Sequence, residues 1–389
     1  MVACPGGSEG RSVQRNKILS AAGRTYGQTC QNPLGKCGHA ALGALYALSV
    51  CLAASVAVAQ GIPIIRDTEI ETLLKDYSRP IFREAALEQQ NIRMRIVNSR
   101  VFNAFVLDGG NVFIHTGALM SAEAPNEVIG VIAHETGHIA RADIASLQAS
   151  IKRANQQQLL LAMLGIGLMV AGGVAGGDAV QDLGSLGSAT MAGGQSIVIH
   201  DFLRVRRQQE SGADRAGFSY LTKSKQSGRG MLKTFERLAS GRMLPSNEQY
   251  LATHPTEAAR LQQLRDLVER SPFADNLDPP ELQLRHDLMR AKLYGYLAPS
   301  EVAQVYRATD NSIPARYARA IMKNCAGRCS KSMQDVDALI KDMPSNPYFW
   351  ELKGHLLYHD GKRREVEAPL REALRLLKGK APQIQTLLA

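Results

Sequence analysis

The sequence predicts an α+β fold: a mostly helical domain with a small β-hairpin or sheet, followed by an all-α helical-repeat region. Three observations lead there. Two short apolar runs, "VFNAFV" and "NVFIH", flank Asp108-Gly109-Gly110-Asn111, whose glycines suit the tight turn of a hairpin. Around them, residues 67–90, a stretch opening at Pro125 and residues 200–222 read as helices. Beyond a Pro/Asp-rich stretch, prolines 314, 347 and 382 recur at spacings of 33 and 35 residues in a segment that looks helical throughout.

Each element follows in order. Residues 1–59 read as a leader: Arg11, Arg15, Lys17, Arg24 and Lys36 precede the apolar run "ALGALYALSVCLAASVAVA". Its small-x-small ending, Ala57-Val58-Ala59, is the pattern of a secretory signal cleaved near Ala59; a retained membrane anchor is the alternative. The basic stretch is long for such a signal, which leaves open a start codon further in. Residues 60–270 form the first domain. Its opening helix, 67–90, is expected to break at Pro80, and the helix after the hairpin takes Pro125 into its first turn. The uncharged run "LLLAMLGIGLMVAGGVAGG", residues 159–177, is long enough to cross a bilayer. Its six glycines weaken a helix, so 159–195 is expected to be a lid or plug that covers a cleft or touches a membrane peripherally, with a true span as the alternative. A linker, "SPFADNLDPPE" (271–281), leads to residues 282–389, whose proline spacing is near the 34-residue tetratricopeptide period. Trp350, Gly354, Leu357, Gly361, Leu370 and Ala373 fall at that repeat's bulky and small positions, whereas Lys353 and Val366 do not fit. The last residues, "APQIQTLLA", read as the first helix of another repeat, so the array is expected to be truncated.

Composition narrows the function classes. Hydrophobic residues make up 45% and charged residues 21%, as in ordinary globular proteins. Of the formal charge of +10, residues 1–59 hold five basic groups against one acid, and the remaining +6 is spread without a dense basic stripe. No nucleic-acid partner is expected. Four of the six cysteines lie in the leader; Cys325 and Cys329 remain, which suits an exported protein with one disulfide or two free thiols.

The chemistry concentrates in "VIAHETGHIARAD", residues 131–143. By composition, roughly one chain in a hundred of this length would carry HExxH by accident, so the rest of the sequence must decide. On a helix, His134 and His138 share one face and can offer imidazole nitrogens to one zinc ion per chain. Glu135 then stands beside the metal as general base for a water whose pKa zinc lowers toward ~7. A third protein ligand is needed. The metzincin pattern fails, because Arg141 and Ile144 stand where glycine and histidine are required. The gluzincin pattern needs a glutamate on a second helix with an acid four residues on, and Glu210-Ser211-Gly212-Ala213-Asp214 supplies it. Ala213, Ala216 and Gly217 would let the two helices pack closely, with Asp214 orienting a ligand histidine. His355 and His359 also lie four apart but lack the glutamate; they and His115, His200 and His286 are read as structural or surface groups.

Together, HETGH, ESGAD, "THP" with His254-Pro255, Arg260 and the preceding "NAFVLDGG" resemble the HtpX/CAAX-protease-type gluzincin family over residues from about 62 to the end. The resemblance implies a zinc metalloendopeptidase with His134, His138 and Glu210 as ligands, Glu135 as base, His254 as a residue that caps the metal at rest, and Arg260 as a nearby basic group. It also implies an exported chain in a Gram-negative periplasm. Its protein substrates would be misassembled outer-membrane proteins, and its tetratricopeptide-like helices would meet the outer-membrane assembly machinery, with chaperone-like help to assembly. An edge strand at Asn103, Ala104 and Phe105 could hold extended substrate backbone or be scaffold alone. Ala142 and Asp143 depart from the family, where many members have a histidine. Two other readings stay open: a latched, chaperone-like binding module with little proteolysis, and an integral membrane zinc protease spanning at 159–177.

Overall fold

The computed structural model describes residues 62–388 apart from 108–109, 144, 147, 150–151, 154–155, 157–202, 241–249, 252–253, 256 and 326–328. The leader and the apolar 159–177 run therefore lie outside the described residues, as do the side chains of Cys325 and Cys329.

Among the described residues four strands form one sheet: β1 (Ile64–Ile65), β2 (Arg93–Val97), β3 (Ala104–Val106) and β4 (Asn111–His115), in the order β1-β2-β4-β3. The expected hairpin is β3–β4, antiparallel, with Phe105 opposite Phe113 and the two rings stacked at 5.0 Å. β2 runs parallel to β4 and β1 pairs antiparallel with β2; neither strand was read from the sequence. Period-two alternation puts Val112 and Ile114 of β4 in the core, and among the described residues β3 stands at the sheet edge.

Helix α1 (Thr68–Glu84) starts on Asp67, whose side chain accepts from the Ile70 N–H at 3.0 Å. Ile70, Leu73, Leu74, Tyr77 and Ile81 repeat at helical spacing and are buried. The expected break at Pro80 does not occur, and the helix runs through it. A proline inside a helix costs about 3 kcal/mol, but burial of Tyr77, Ile81 and Phe82 on both sides of it outweighs that cost. The helix ends at Glu84 rather than 90, because Ala86 adopts a left-handed φ of 56° and the chain turns toward β2.

After β4, α2 (Thr116–Ser121) leads into α3 (Pro125–Ala140), with Pro125 at its first position as expected. Nearly every residue of α3 is buried, which makes it the central helix of the domain. Helix α4 covers residues 203–223, followed by α5 (Arg229–Ala239) and α6 (Ala258–Glu269). Glu127 in the first turn of α3 is gripped by Lys233 at 3.0 Å and Arg237 at 2.7 Å, which fixes α5 along α3.

Residues 271–281 are bound to the first part of the chain rather than free of it. Asp278 accepts from the Asn126 N–H at 3.0 Å, and Asp275 pairs with Arg229 at 2.7 Å. Helix α7 (Pro280–Leu297) then packs into the same hydrophobic cluster, which runs from Ile65 to Leu356. His286 on α7 meets Tyr77 at 2.9 Å and the Ala122 carbonyl at 3.0 Å. The carbonyl can only accept, so Nε2 carries the hydrogen and Nδ1 accepts from the tyrosine. Lys292, buried, reaches Asp67 at 2.8 Å and Glu69 at 3.2 Å. Five further helices, each packed on the next, follow among the described residues: α8 (Ile313–Cys325), α9 (Cys329–Asp342), α10 (Pro347–His359), α11 (Glu367–Leu376) and α12 (Pro382–Leu388). Pro314, Pro347 and Pro382 each sit in the first turn of a helix. Gly354 lets Leu370 lie across α10, since a Cβ there would meet Leu370 Cδ2. No helix among the described residues is long and apolar enough to cross a membrane.

Candidate metal centre

The site is built where α3 and α4 cross. A Cβ on Gly217 would lie 2.8 Å from the Ala133 carbonyl carbon, and one on Gly137 would lie 2.7 Å from the Ala213 oxygen. The two backbones touch because neither glycine has a side chain, and this brings Glu210 and Asp214 over His134 and His138.

Hydrogen bonds fix the histidine tautomers. His134 Nδ1 is 2.9 Å from Asp214 Oδ1, and His138 Nδ1 is 3.0 Å from Asp143 Oδ2. An ionised carboxylate only accepts, so each Nδ1 donates and each Nε2 is left as a lone pair. These Nε2 atoms face each other at 3.2 Å. His254 Nδ1 stands 3.3 Å from His134 Nε2, and Glu210 Oε2 stands 3.2 Å from His254 Nδ1. One ligand atom from each of His134, His138, Glu210 and His254 lies within 4.8 Å of the other three. Lone pairs converging in this way repel unless a positive charge sits among them. Imidazole nitrogens with one carboxylate are the donor set of a divalent transition metal, so these residues fit such an ion.

The surrounding shell holds the donors still. Arg260 donates to Asp214 through Nε at 2.8 Å and Nη2 at 2.9 Å, and its Nη1 lies 3.1 Å from Glu210. Phe235 meets the His134 ring edge-on at 5.2 Å, and Tyr250 stacks on His254 at 4.7 Å. Asp143, Phe235 and Tyr250 were not picked out as site residues from the sequence. Asp143 had a partial signal, an acid placed just past the motif. The left-handed turn at Ala142, φ 53°, folds it back onto His138.

Burial governs the electrostatics. It pushes the Glu135 carboxyl up to about 8, against the pull of His134 and with the help of Glu210. It lowers His254 to about 4, opposed by Glu210. For His134 burial disfavours the charged ring, yet hydrogen bonds and charge from Asp214 and Glu210 win and raise it to about 10. Glu210 is likewise penalised by burial but is held well below the usual carboxylate range by His134 and His254. A proton on His134 Nε2 and a divalent cation relieve the same crowding, and they compete for it.

Beside the donors opens a cleft of about 380 Å³, bounded by Asn103, Phe105 and Leu107 on one side and by Glu135, Arg206 and Gln209 on the other. Glu135 Oε1 is buried without a hydrogen-bond partner among the described residues, as is Asn103 Oδ1. Ala104, the first residue of β3, is fully buried. Of the sequence-predicted residues, His134, His138, Glu210 and His254 converge, Asp214 and Arg260 hold them from behind, and Glu135, Asn103 and Phe105 line the adjoining cleft, whereas Ala104 does not.

A family model described as Peptidase family M48 matches residues 65–268. The chain belongs to peptidase family M48. The matched segment contains His134, His138, Glu210 and His254, the group that could hold a metal ion. Over 324 residues it is 24% identical to the "Beta-barrel assembly-enhancing protease" of Yersinia pestis, covering 80% of this chain and 63% of the relative. The protein of the same name from Escherichia coli (strain K12) is 22% identical over 329 residues, with 80% and 63% covered. "Metalloprotease LoiP" of Escherichia coli (strain K12) is 29% identical over 198 residues, 49% of this chain and 70% of that one. The M48 chain thus spans less than two thirds of the length of the first two relatives.

Proposed function

We propose that this M48 chain is an exported, zinc-dependent endopeptidase acting on misassembled outer-membrane proteins in a Gram-negative periplasm. The observation that carries the reading is the convergence of His134, His138 and Glu210 donor atoms beside the orphaned Oε1 of Glu135. His134, His138 and Glu210 would hold the zinc ion. When bound, it supplies the Lewis acidity that makes water nucleophilic near neutral pH and polarises a peptide carbonyl. Glu135 takes the proton of the attacking water on its free oxygen and returns it to the leaving amine. Asp214 and Asp143 keep both imidazoles in the tautomer that presents Nε2, and Arg260 fixes Asp214 in turn. The edge strand β3, with Ala104 and Phe105, and Asn103 just before it align extended substrate by backbone pairing. The helical array α8–α12, read as tetratricopeptide-like, serves as the surface for the outer-membrane assembly machinery, and 159–195 as a peripheral membrane contact or plug. The names of the relatives support this setting.

A second reading rests on His254. Its Nδ1 supplies a fourth donor where a metalloprotease needs an open position, which favours a resting state latched by the chain itself and a partly chaperone-like role.

Zinc content and casein digestion of the parent, Glu135→Gln and Glu210→Gln test the assignment. Glu135→Gln should keep zinc and lose hydrolysis, whereas Glu210→Gln should lose zinc, because an amide is a poor ligand for a divalent ion. The reverse pattern would refute these roles.

A further inference from the structure

A second groove, of about 530 Å³, shares no lining residue with the catalytic cleft. It lies between α1, the start of β2 and the start of α12, and is bridged at one place by Thr68 donating to Gln383 at 2.8 Å. Phe82, Leu87, Ile92, Met94 and Pro382 give it an apolar strip, with Phe82 and Leu87 buried, within a lining that is otherwise polar or charged. Lys75, Arg93 and Lys380 stand at its rim, all exposed.

The charges of this groove are unbalanced. Its two acids are already engaged, Glu71 by Arg66 at 2.5 Å and Glu88 by Arg83 at 3.2 Å. Arg79 is held by Asp76 at 2.7 Å. No described acidic group lies in ion-pair reach of Lys75, Arg93 or Lys380. Three cations therefore face solvent beside this apolar strip. None of the large exposed hydrophobic side chains among the described residues lines the groove, so it is not set in an apolar face that a bilayer would cover.

We propose that this groove is a docking site for an acidic, apolar peptide segment of a partner or substrate protein, held away from the catalytic cleft. The apolar side chains of the segment fill the space over Ile92 and Met94 while its carboxylates pair with Lys75, Arg93 and Lys380. A groove of this volume takes a few side chains, in the range usual for specific ligand sites. The rim charges act through water, so binding weakens as salt rises.

The test uses the full chain carrying Glu135→Gln, so that nothing is cleaved, and a dye-labelled peptide of alternating glutamate and leucine read by fluorescence anisotropy. The Lys75→Glu/Lys380→Glu double variant should weaken binding by roughly tenfold, from two lost and reversed surface pairs. Met94→Ser should weaken it with all charges in place, and a lysine-for-glutamate peptide should not bind. Binding indifferent to these variants, or equal binding of the basic peptide, would overturn the proposal. So would flotation with anionic lipid vesicles that the double variant abolishes while the acidic peptide fails to bind; the groove would then be a membrane contact. Because the readout is binding by a protein without its base, failure here is distinguishable from failure of the zinc-protease reading.

Discussion

Gly217→Ala should disable the metal centre without replacing a ligand. The new Cβ would stand 2.8 Å from the Ala133 carbonyl carbon and 2.9 Å from both the Ala133 oxygen and the His134 nitrogen, against the 3.4 Å of ordinary contact. All three neighbours are backbone of α3, which cannot rotate aside, so α4 must withdraw by about 0.6 Å. Metal–ligand distances tolerate only ~0.2 Å, so Glu210 would leave the reach of an ion held by the two histidines. Overpacking of this kind costs about 2 kcal/mol, which lowers Tm by about 5 °C in a domain of this size. Zinc content after dialysis and differential scanning fluorimetry read both effects. Arg215→Ala, on the exposed face of the same helix, is the control and should change neither. A Gly217→Ala protein with full zinc and an unchanged Tm would refute the argument that helix approach sets the site.

Asp143→Asn keeps all four donor residues but weakens the hold on the His138 tautomer; zinc affinity should fall roughly 10–100-fold, read by competition with a chelating dye. His254→Ala should raise basal casein digestion if the residue is a latch; a fully zinc-loaded variant that is slower than the parent by roughly 10²–10³-fold would instead make it an oxyanion donor. His286 gives a pH dependence of stability far from the metal. Burial, opposed by the Ala122 carbonyl, lowers its pKa from 6.5 to about 4. Between those values the unfolded chain binds the proton and the folded one does not. Its contribution is therefore complete above pH 6.5 and is lost as pH falls toward 4, about 3 kcal/mol in all. Urea unfolding at pH 7 and pH 4.5 should show this drop in the parent and a smaller one in His286→Gln; equal drops would refute it.

The donor pattern on α3 and α4 was readable because it is local. Two histidines four apart on a helix must share a face, and Glu210 with Asp214 repeats that logic on α4. The β3–β4 hairpin was readable for the same reason, since Asp108-Gly109-Gly110-Asn111 admits a tight turn between two apolar runs. The break expected at Pro80 was wrong, because local propensity said nothing of how deeply Tyr77, Ile81 and Phe82 are buried. β1 and β2 went unread, one too short for a pattern and the other paired parallel to a strand fourteen residues further on. Asp143 on His138, Tyr250 on His254 and Lys292 on Asp67 are meetings of side chains that only packing brings about. Residue types and their helical spacing thus determined which donor groups α3 and α4 present on one face. The tertiary structure decided where the donors converge and which rings are held still, because those depend on backbones approaching at Gly137 and Gly217, a property of two helices together and of neither alone.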